Sequence, residues 1–138
     1  MLISEIMQRP VIKIAFDATV KEAVVKMHHH NIGFLPVVKD GWVTGVITDR
    51  DILCRCLVDH QLDLGSTVMH IMTRKIHQCS PQQSVKDAAA MMGDFQIRRL
   101  PVCDPLGSLV GVLSVGDIAE HCSELLAGEA LGEIVEFR

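Results

Sequence analysis

Tyrosine is absent and tryptophan occurs once, so aromatic side chains make up only 4% of the 138 residues. A platform that stacks the bases of single-stranded nucleic acid needs several exposed rings, and this chain has little material for one. Positive charge is not in excess either. Thirteen Lys and Arg against 17 Asp and Glu leave a net charge of −4, too acidic for a protein whose main work is gripping phosphate backbones. Long apolar runs are missing: the uncharged stretch over residues 105–116 carries Pro105, Gly107, Gly111 and Gly116 and falls far short of the roughly 18 apolar residues of a membrane span. The N-terminus has no basic segment ahead of an apolar one, and Glu5 interrupts what apolar character it has. These absences lead us to expect a cytoplasmic protein that neither enters a membrane nor binds a nucleic-acid polymer. Cysteines number five (Cys54, Cys56, Cys79, Cys103 and Cys122) with no CxxC pair, so neither a disulfide framework nor a zinc knuckle is written, and reduced thiols are the default. What the chain does have is 49% apolar and 22% charged residues, the balance of an ordinary folded protein.

Self-similarity organises the chain. Ile6 and Met7 recur as Ile71 and Met72, Val20 and Lys21 as Val85 and Lys86, and Leu35, Pro36 and Val37 as Leu100, Pro101 and Val102, all at an offset of 65 residues. After Asp40 and Gly41 the offset becomes 66: Gly45 and Val46 match Gly111 and Val112, and Asp51 and Ile52 match Asp117 and Ile118. One inserted residue in a hairpin loop explains the change. The chain therefore reads as two copies, residues 1–65 and 66–125, followed by a tail over residues 126–138. A unit of about 60 residues buries too little surface to be stable by itself, so the copies are expected to pack on each other.

Each copy carries the same local signals. Thr19 and Glu22 form a capping box, after which Val20, Ala23, Val24 and Met27 follow helical spacing; Ser84 and Asp87, then Val85, Ala88, Ala89 and Met92, repeat the pattern. Residues 34–38 and 42–47 are short β-branched runs joined by Asp40 and Gly41, a strong hairpin signal. In the second copy residues 100–103 and 109–113 flank a longer turn at residues 104–107. A second helix follows each hairpin, through Ile52, Leu53, Cys56 and Leu57 in one copy and Ile118, Cys122, Leu125 and Leu126 in the other. Residues 11–15 and 76–79 read as strands ahead of the first helix, which makes the unit strand, helix, strand, strand, helix. Residues 59–66 form a polar connection. The tail is mixed in character and could add a turn or strand, or fray.

The pattern with most chemistry in it is Gly45, Val46, Ile47, Thr48 and then Asp51, echoed by Gly111, Val112, Leu113, Ser114 and then Asp117. A hydroxyl at the end of a strand and a carboxylate in the first turn of the next helix would suit a nucleotide. The helix start and the hydroxyl favour phosphate, and the carboxylate accepts both hydrogens of a ribose diol. The same spacing is also a plain capping box, and the chain uses it at Thr19 and Ser84 with no ligand in view.

The repeat, with Leu-Pro-Val opening each hairpin and Gly-x-x-Thr/Ser-x-x-Asp closing it, closely resembles a tandem pair of cystathionine-β-synthase (CBS) domains, the Bateman module, over roughly residues 1–123. The resemblance is to the small stand-alone CBS-pair proteins of bacteria and archaea. It implies an α/β (α+β) fold in which two β-α-β-β-α repeats pack with pseudo-twofold symmetry. It also implies two clefts for adenosyl compounds such as AMP, ADP, ATP or S-adenosylmethionine, with no cofactor required. One cleft would join Thr48 and Asp51 to Ile76, His77, Ile97, Arg98 and Arg99; the other would join Ser114 and Asp117 to Val11, Ile12, Ile32, Gly33 and Phe34. Arg50, Arg98 and Arg99 bring guanidinium groups to the first set, where the second has Gly116, Gly33 and Phe34, so the Thr48/Asp51 cleft is expected to hold phosphate more strongly.

The resemblance further implies a homodimer, two modules forming a flat disk through their helices, and a signal passed to an unknown effector protein or through self-association. No enzyme motif stands in the sequence: there is no phosphate loop of Walker type, no nucleophile elbow and no HExxH. The alternatives are a dimerisation scaffold with empty clefts and a metal or redox sensor. His28, His29 and His30 fan around a helix and do not converge on one ion, Cys54 and Cys56 diverge on a helix, and His77 and Cys79 share a strand face where packing or stacking is the simpler use. No metal ligand is assigned.

Overall fold

The computed structural model describes residues 1–59 and 62–138; the connection read over residues 59–66 lies partly outside them. The chain divides into two compact units, one of residues 12–76 and one of residues 1–11 with 77–138.

In the unit of residues 12–76, β1 (Ile14–Ala15) runs parallel to β2 (Phe34–Lys39), which pairs antiparallel with β3 (Trp42–Thr48). Asp40 and Gly41 turn the hairpin with φ of 53° and 83°, the left-handed pair that an Asp-Gly turn supplies. Helix α1 (Val20–His30) starts on the Thr19/Glu22 capping box and ends at Asn31, whose left-handed backbone closes the last turn. Helix α2 (Asp49–Val58) follows β3 directly. Val20, Ala23, Met27, Leu35, Val37, Ile47, Val68 and Ile71 bury their side chains in one core. The strand expected over residues 11–15 shortens to Ile14 and Ala15, the two residues that find partners on β2.

The other unit repeats this plan with changes. Helix α3 (Val85–Phe95) precedes the hairpin of β4 (Arg99–Cys103) and β5 (Leu109–Ser114). The strand expected over residues 76–79 is reduced to a single parallel bridge, Cys79 to Val102. The second helix is not continuous through Cys122: α4 (Val115–His121) stops, the backbone at Cys122 leaves helical geometry, and Ser123 caps a new helix, α5 (Glu124–Ile134), by accepting from Leu126 N at 3.1 Å. The tail thus contributes a helix, not a turn or strand. Ala127, Ala130 and Ile134 bury its inner face against α3 and α4.

The leading segment of each sequence repeat belongs to the compact unit of the other repeat. Ile3 N donates to Gln83 O at 2.9 Å and Gln8 N to Val112 O at 2.8 Å, while Val68 N donates to Ala18 O at 2.7 Å and Thr73 N to Val46 O at 2.8 Å. Ile3 and Ile6 fill one core, and the equivalent Val68 and Ile71 fill the other. The recurrent Gly45 and Gly111 make room for the recurrent methionines. A Cβ at Gly45 would lie 2.7 Å from Met72 Sδ and 2.8 Å from Thr73 O, and one at Gly111 would lie 2.6 Å from Met7 Sδ.

Alanine ordinarily improves a strand relative to glycine, so a loss at these sites reports the clash. Gly45→Ala is expected to destabilise by roughly 1 to 3 kcal/mol, because backbone at Thr73 must shift, and Gly111→Ala by less, because only the Met7 side chain must give. Denaturant midpoints of the two variants check this order.

Candidate functional site

In the unit of residues 12–76 the end of β3 and the start of α2 place a hydroxyl and a carboxylate together. Thr48 N donates to Asp51 Oδ2 at 3.1 Å and Thr48 Oγ1 accepts from Asp51 N at 3.1 Å, a reciprocal capping box. Thr73 Oγ1 lies 3.4 Å from both carboxylate oxygens. Arg55, one turn along α2, reaches Asp51 Oδ1 at 3.6 Å, and its guanidinium also donates to Ile71 O and, at 3.1 Å, to Thr73 Oγ1. The Asp51 side chain keeps 16% of its surface in solvent. Long contacts from Thr73 and Arg55 leave this carboxylate with acceptor capacity to spare, since an ionised carboxylate offers about four lone-pair directions.

The equivalent group in the other unit is closed. Asp117 is 5% exposed, the one buried acidic residue among those described. Ser114 donates to Asp117 Oδ2 through both N and Oγ at 2.8 Å, and Gln8 Nε2 donates to Oδ1 at 2.8 Å. Three short bonds from neutral donors satisfy the buried carboxylate, as its burial demands. Gln8 and Thr73 occupy equivalent places, each directly after the repeated Ile-Met pair. That shared position was the signal for them; without the exchanged packing, nothing ties residue 8 to residue 117 or residue 73 to residue 51.

The remaining candidates fall into place within each unit. Phe34 pairs with Thr48 across the hairpin, and Arg99 pairs with Ser114. Asp49 N donates to Gly33 O at 2.9 Å and Val115 N to Arg98 O at 3.0 Å, so Gly33 sits beside one helix start and Arg98 beside the other. An added Cβ at Gly33 would meet Asp49 Oδ2 at 2.5 Å, which puts an anionic group against that backbone. Ile12 and Ile32 pack on the core of one unit and Ile97 on the core of the other. Val11 and Ile76 are half-buried. His77 stacks on Phe95 with ring centroids 3.7 Å apart and planes inclined by 14°, which gives it a packing partner. Arg50, Arg98 and Arg99 are exposed and make no ion pair among the described residues.

Among the described residues no group of three or more His, Cys, Asp or Glu side chains could hold a metal ion, and no helix is long and apolar enough to cross a membrane. The buried thiols are poor nucleophiles. Burial, then the neighbouring Cys103 thiol, pushes the Cys79 thiol up to about 12, and burial with Asp104 raises that of Cys103.

A model of the CBS domain family matches residues 3–57 and again residues 68–124. The chain belongs to the CBS domain family. The two matched segments make it a CBS pair, and the cap residues Thr48, Asp51, Ser114 and Asp117 lie within them. A CBS domain-containing protein of Bacillus subtilis, YhcV, is 35% identical over 133 residues, covering 96% of this chain and 94% of that one. The CBS domain pair of protein MJ0100, solved in complex with 5′-methylthioadenosine and S-adenosyl-L-methionine, superposes with a TM-score of 0.78 at 28% identity, covering 94% of this chain and 98% of that one. A CBS domain protein of Pyrobaculum aerophilum, PAE2072, complexed with AMP, superposes with a TM-score of 0.81 at 28% identity, covering 94% of this chain and 99% of that one.

The buried thiol of this CBS pair has a consequence for pH. A folded-state value raised from 9.0 to about 12 means that the unfolded chain loses the Cys79 proton first, so stability present below pH 9 drains away as pH rises toward about 12. Measured by denaturant unfolding, stability is expected to fall more steeply with alkaline pH in the wild type than in Cys79→Ala.

Proposed function

We propose that this CBS pair is a regulatory sensor that binds an adenosyl compound of the AMP, ADP, ATP or S-adenosylmethionine class without turning it over. Its output passes to a partner protein or through self-association. Two solved CBS pairs of the same fold carry such ligands, and both copies of the hydroxyl and carboxylate pair are present here. The reading assigns the stronger site to Thr48 and Asp51, with Arg50 and the opposite repeat's Ile76, His77, Ile97, Arg98 and Arg99 as the expected complement. Ser114 and Asp117, with Val11, Ile12, Ile32, Gly33 and Phe34, would be the weaker one.

One observation carries this preference: the hydrogen-bond commitment of the two carboxylates. A ribose diol has to donate to oxygens that are not already saturated. Asp117 has 2.8 Å donors on both oxygens and 5% exposure, whereas Asp51 is held by one 3.1 Å bond and by longer contacts. Charge points the same way. The set proposed around Thr48 and Asp51 includes Arg50, Arg98 and Arg99, whose exposed guanidinium groups suit phosphate oxygens, where the other set has Gly116, Gly33 and Phe34.

Thermal-shift measurements with AMP, ADP, ATP and S-adenosylmethionine test the reading. A ligand at about 100 times its dissociation constant adds about 2.7 kcal/mol of stability. The ligand-induced shift is expected to fall sharply in Asp51→Ala and to change little in Asp117→Ala. Comparing shifts, not melting temperatures, removes the contribution of each residue to its helix cap. No shift with any of these compounds would defeat the sensor reading, and equal losses in the two variants would defeat the asymmetry. Arg50→Ala is expected to weaken AMP while leaving adenosine unchanged, because the guanidinium acts on phosphate alone.

A further inference from the structure

Asp117 divides its two oxygens between separate tasks. Oδ2 takes both bonds from Ser114 and so belongs to the cap of α4, while Oδ1 receives the Gln8 amide at 2.8 Å. Withdrawing that amide leaves the cap standing. Gln8 is itself exposed, so its amide can turn into water and be hydrated there at little cost. Its backbone has no such freedom. Gln8 N donates to Val112 O at 2.8 Å and Gln8 O accepts from Val112 N at 3.2 Å, with Met7 packed on Gly111 just before it. Only the side chain is free to leave.

The other repeat shows the same place without the amide. Thr73 is fastened to Val46 by the same pair of backbone bonds, at 2.8 and 3.0 Å, so residue 73 stands to Asp51 as residue 8 stands to Asp117. Its shorter side chain stops 3.4 Å from both carboxylate oxygens. On matched backbone, side-chain length decides whether Oδ1 is taken. Helix α2 also brings Arg55 to its carboxylate, whereas the equivalent His121 on α4 lies 3.7 Å from Glu120. Among the described residues Gln8 is therefore the only donor on Asp117 Oδ1. A neutral N–H at 2.8 Å does there what a ribose hydroxyl would do.

We propose that Gln8 is a built-in occupant of the second cleft: its amide holds the carboxylate oxygen that a ribose diol needs, and a ligand binds there only by displacing it. The proposal rests on the adenosyl reading and adds the residue that sets how many sites are open. The second cleft is latent, not lost, because Ser114 and Asp117 keep their cap when the amide leaves. Competition from one neutral hydrogen bond lowers affinity roughly tenfold.

Calorimetric titration of the full chain with AMP, and separately with S-adenosylmethionine, tests this on the wild type, Gln8→Thr and the double variant Gln8→Thr/Asp117→Ala. Gln8→Ser, equally too short to reach Oδ1, is carried alongside with the same expectation, and circular dichroism confirms folding. The wild type is expected to bind one equivalent tightly and a second weakly. Gln8→Thr is expected to bind the second roughly tenfold more tightly and the first as before. That gain is expected to disappear in the double variant and when 2′-deoxy-AMP replaces AMP, since it depends on the diol and on Asp117. An unchanged second equivalent in Gln8→Thr and Gln8→Ser would show that the amide merely seals a buried carboxylate. That result, two equally tight equivalents in the wild type, or a gain that persists with 2′-deoxy-AMP or in the double variant would each overturn the proposal and leave the sensor reading in place. Binding of neither compound to the wild type or to the Gln8 variants would overturn both.

Discussion

Everything near the candidate site depends on a methionine packed against a glycine in a neighbouring strand. Met72 lies over Gly45 and Met7 over Gly111 so closely that no β-carbon fits between them. Each contact fastens the leading segment of one repeat onto the hairpin of the other, and the following residue then bonds to that hairpin, Thr73 to Val46 and Gln8 to Val112. Because those residues are fixed, their side chains arrive at Asp51 and Asp117. Thus a steric requirement at a strand glycine sets the hydrogen bonding of a carboxylate that the backbone alone would leave to its own helix cap.

Much of this was legible in the sequence because it is local. The offsets of 65 and 66 residues, the Asp40-Gly41 turn and the caps at Thr19, Ser84, Thr48 and Ser114 all act within a few residues, and all four hydroxyls accept the expected backbone N–H. What escaped is what depends on distant partners. A strand over residues 76–79 needs a sheet edge in register, and only Cys79 finds one. The apolar spacing from Ile118 to Leu126 runs smoothly through Cys122, yet Ser123 competes for a helix start and wins, because a break there lets α5 fold back over α3 and α4. Gln8 has no local signature at all; it matters through Asp117, 109 residues away.

The capping boxes at Thr48 and Ser114 also resolve an ambiguity about what such a motif is for. The structural and ligand-binding uses of a hydroxyl and carboxylate at this spacing are compatible, since a cap consumes only part of a carboxylate's capacity. The cap holds the side chain in one rotamer, which lowers the ordering cost of any bond a ligand makes to it. What separates a binding carboxylate from a merely structural one is the donor set beyond the cap. At Asp117 Gln8 delivers an amide at full hydrogen-bond strength, and at Asp51 Thr73 offers a hydroxyl at 3.4 Å.

The same divergence marks the outer helices. Ala89 and Gly93 on α3 admit α5 at close range, while Val24 and His28 at the matching places on α1 keep such a helix away. Two copies of one fold have therefore come to satisfy their apolar faces by different routes, one within the chain and one that leaves Leu53 and Leu57 in water. Substituting small residues into α1 would not by itself recreate the covered face, because the chain has a single α5 and its sequence is already matched to Gly93.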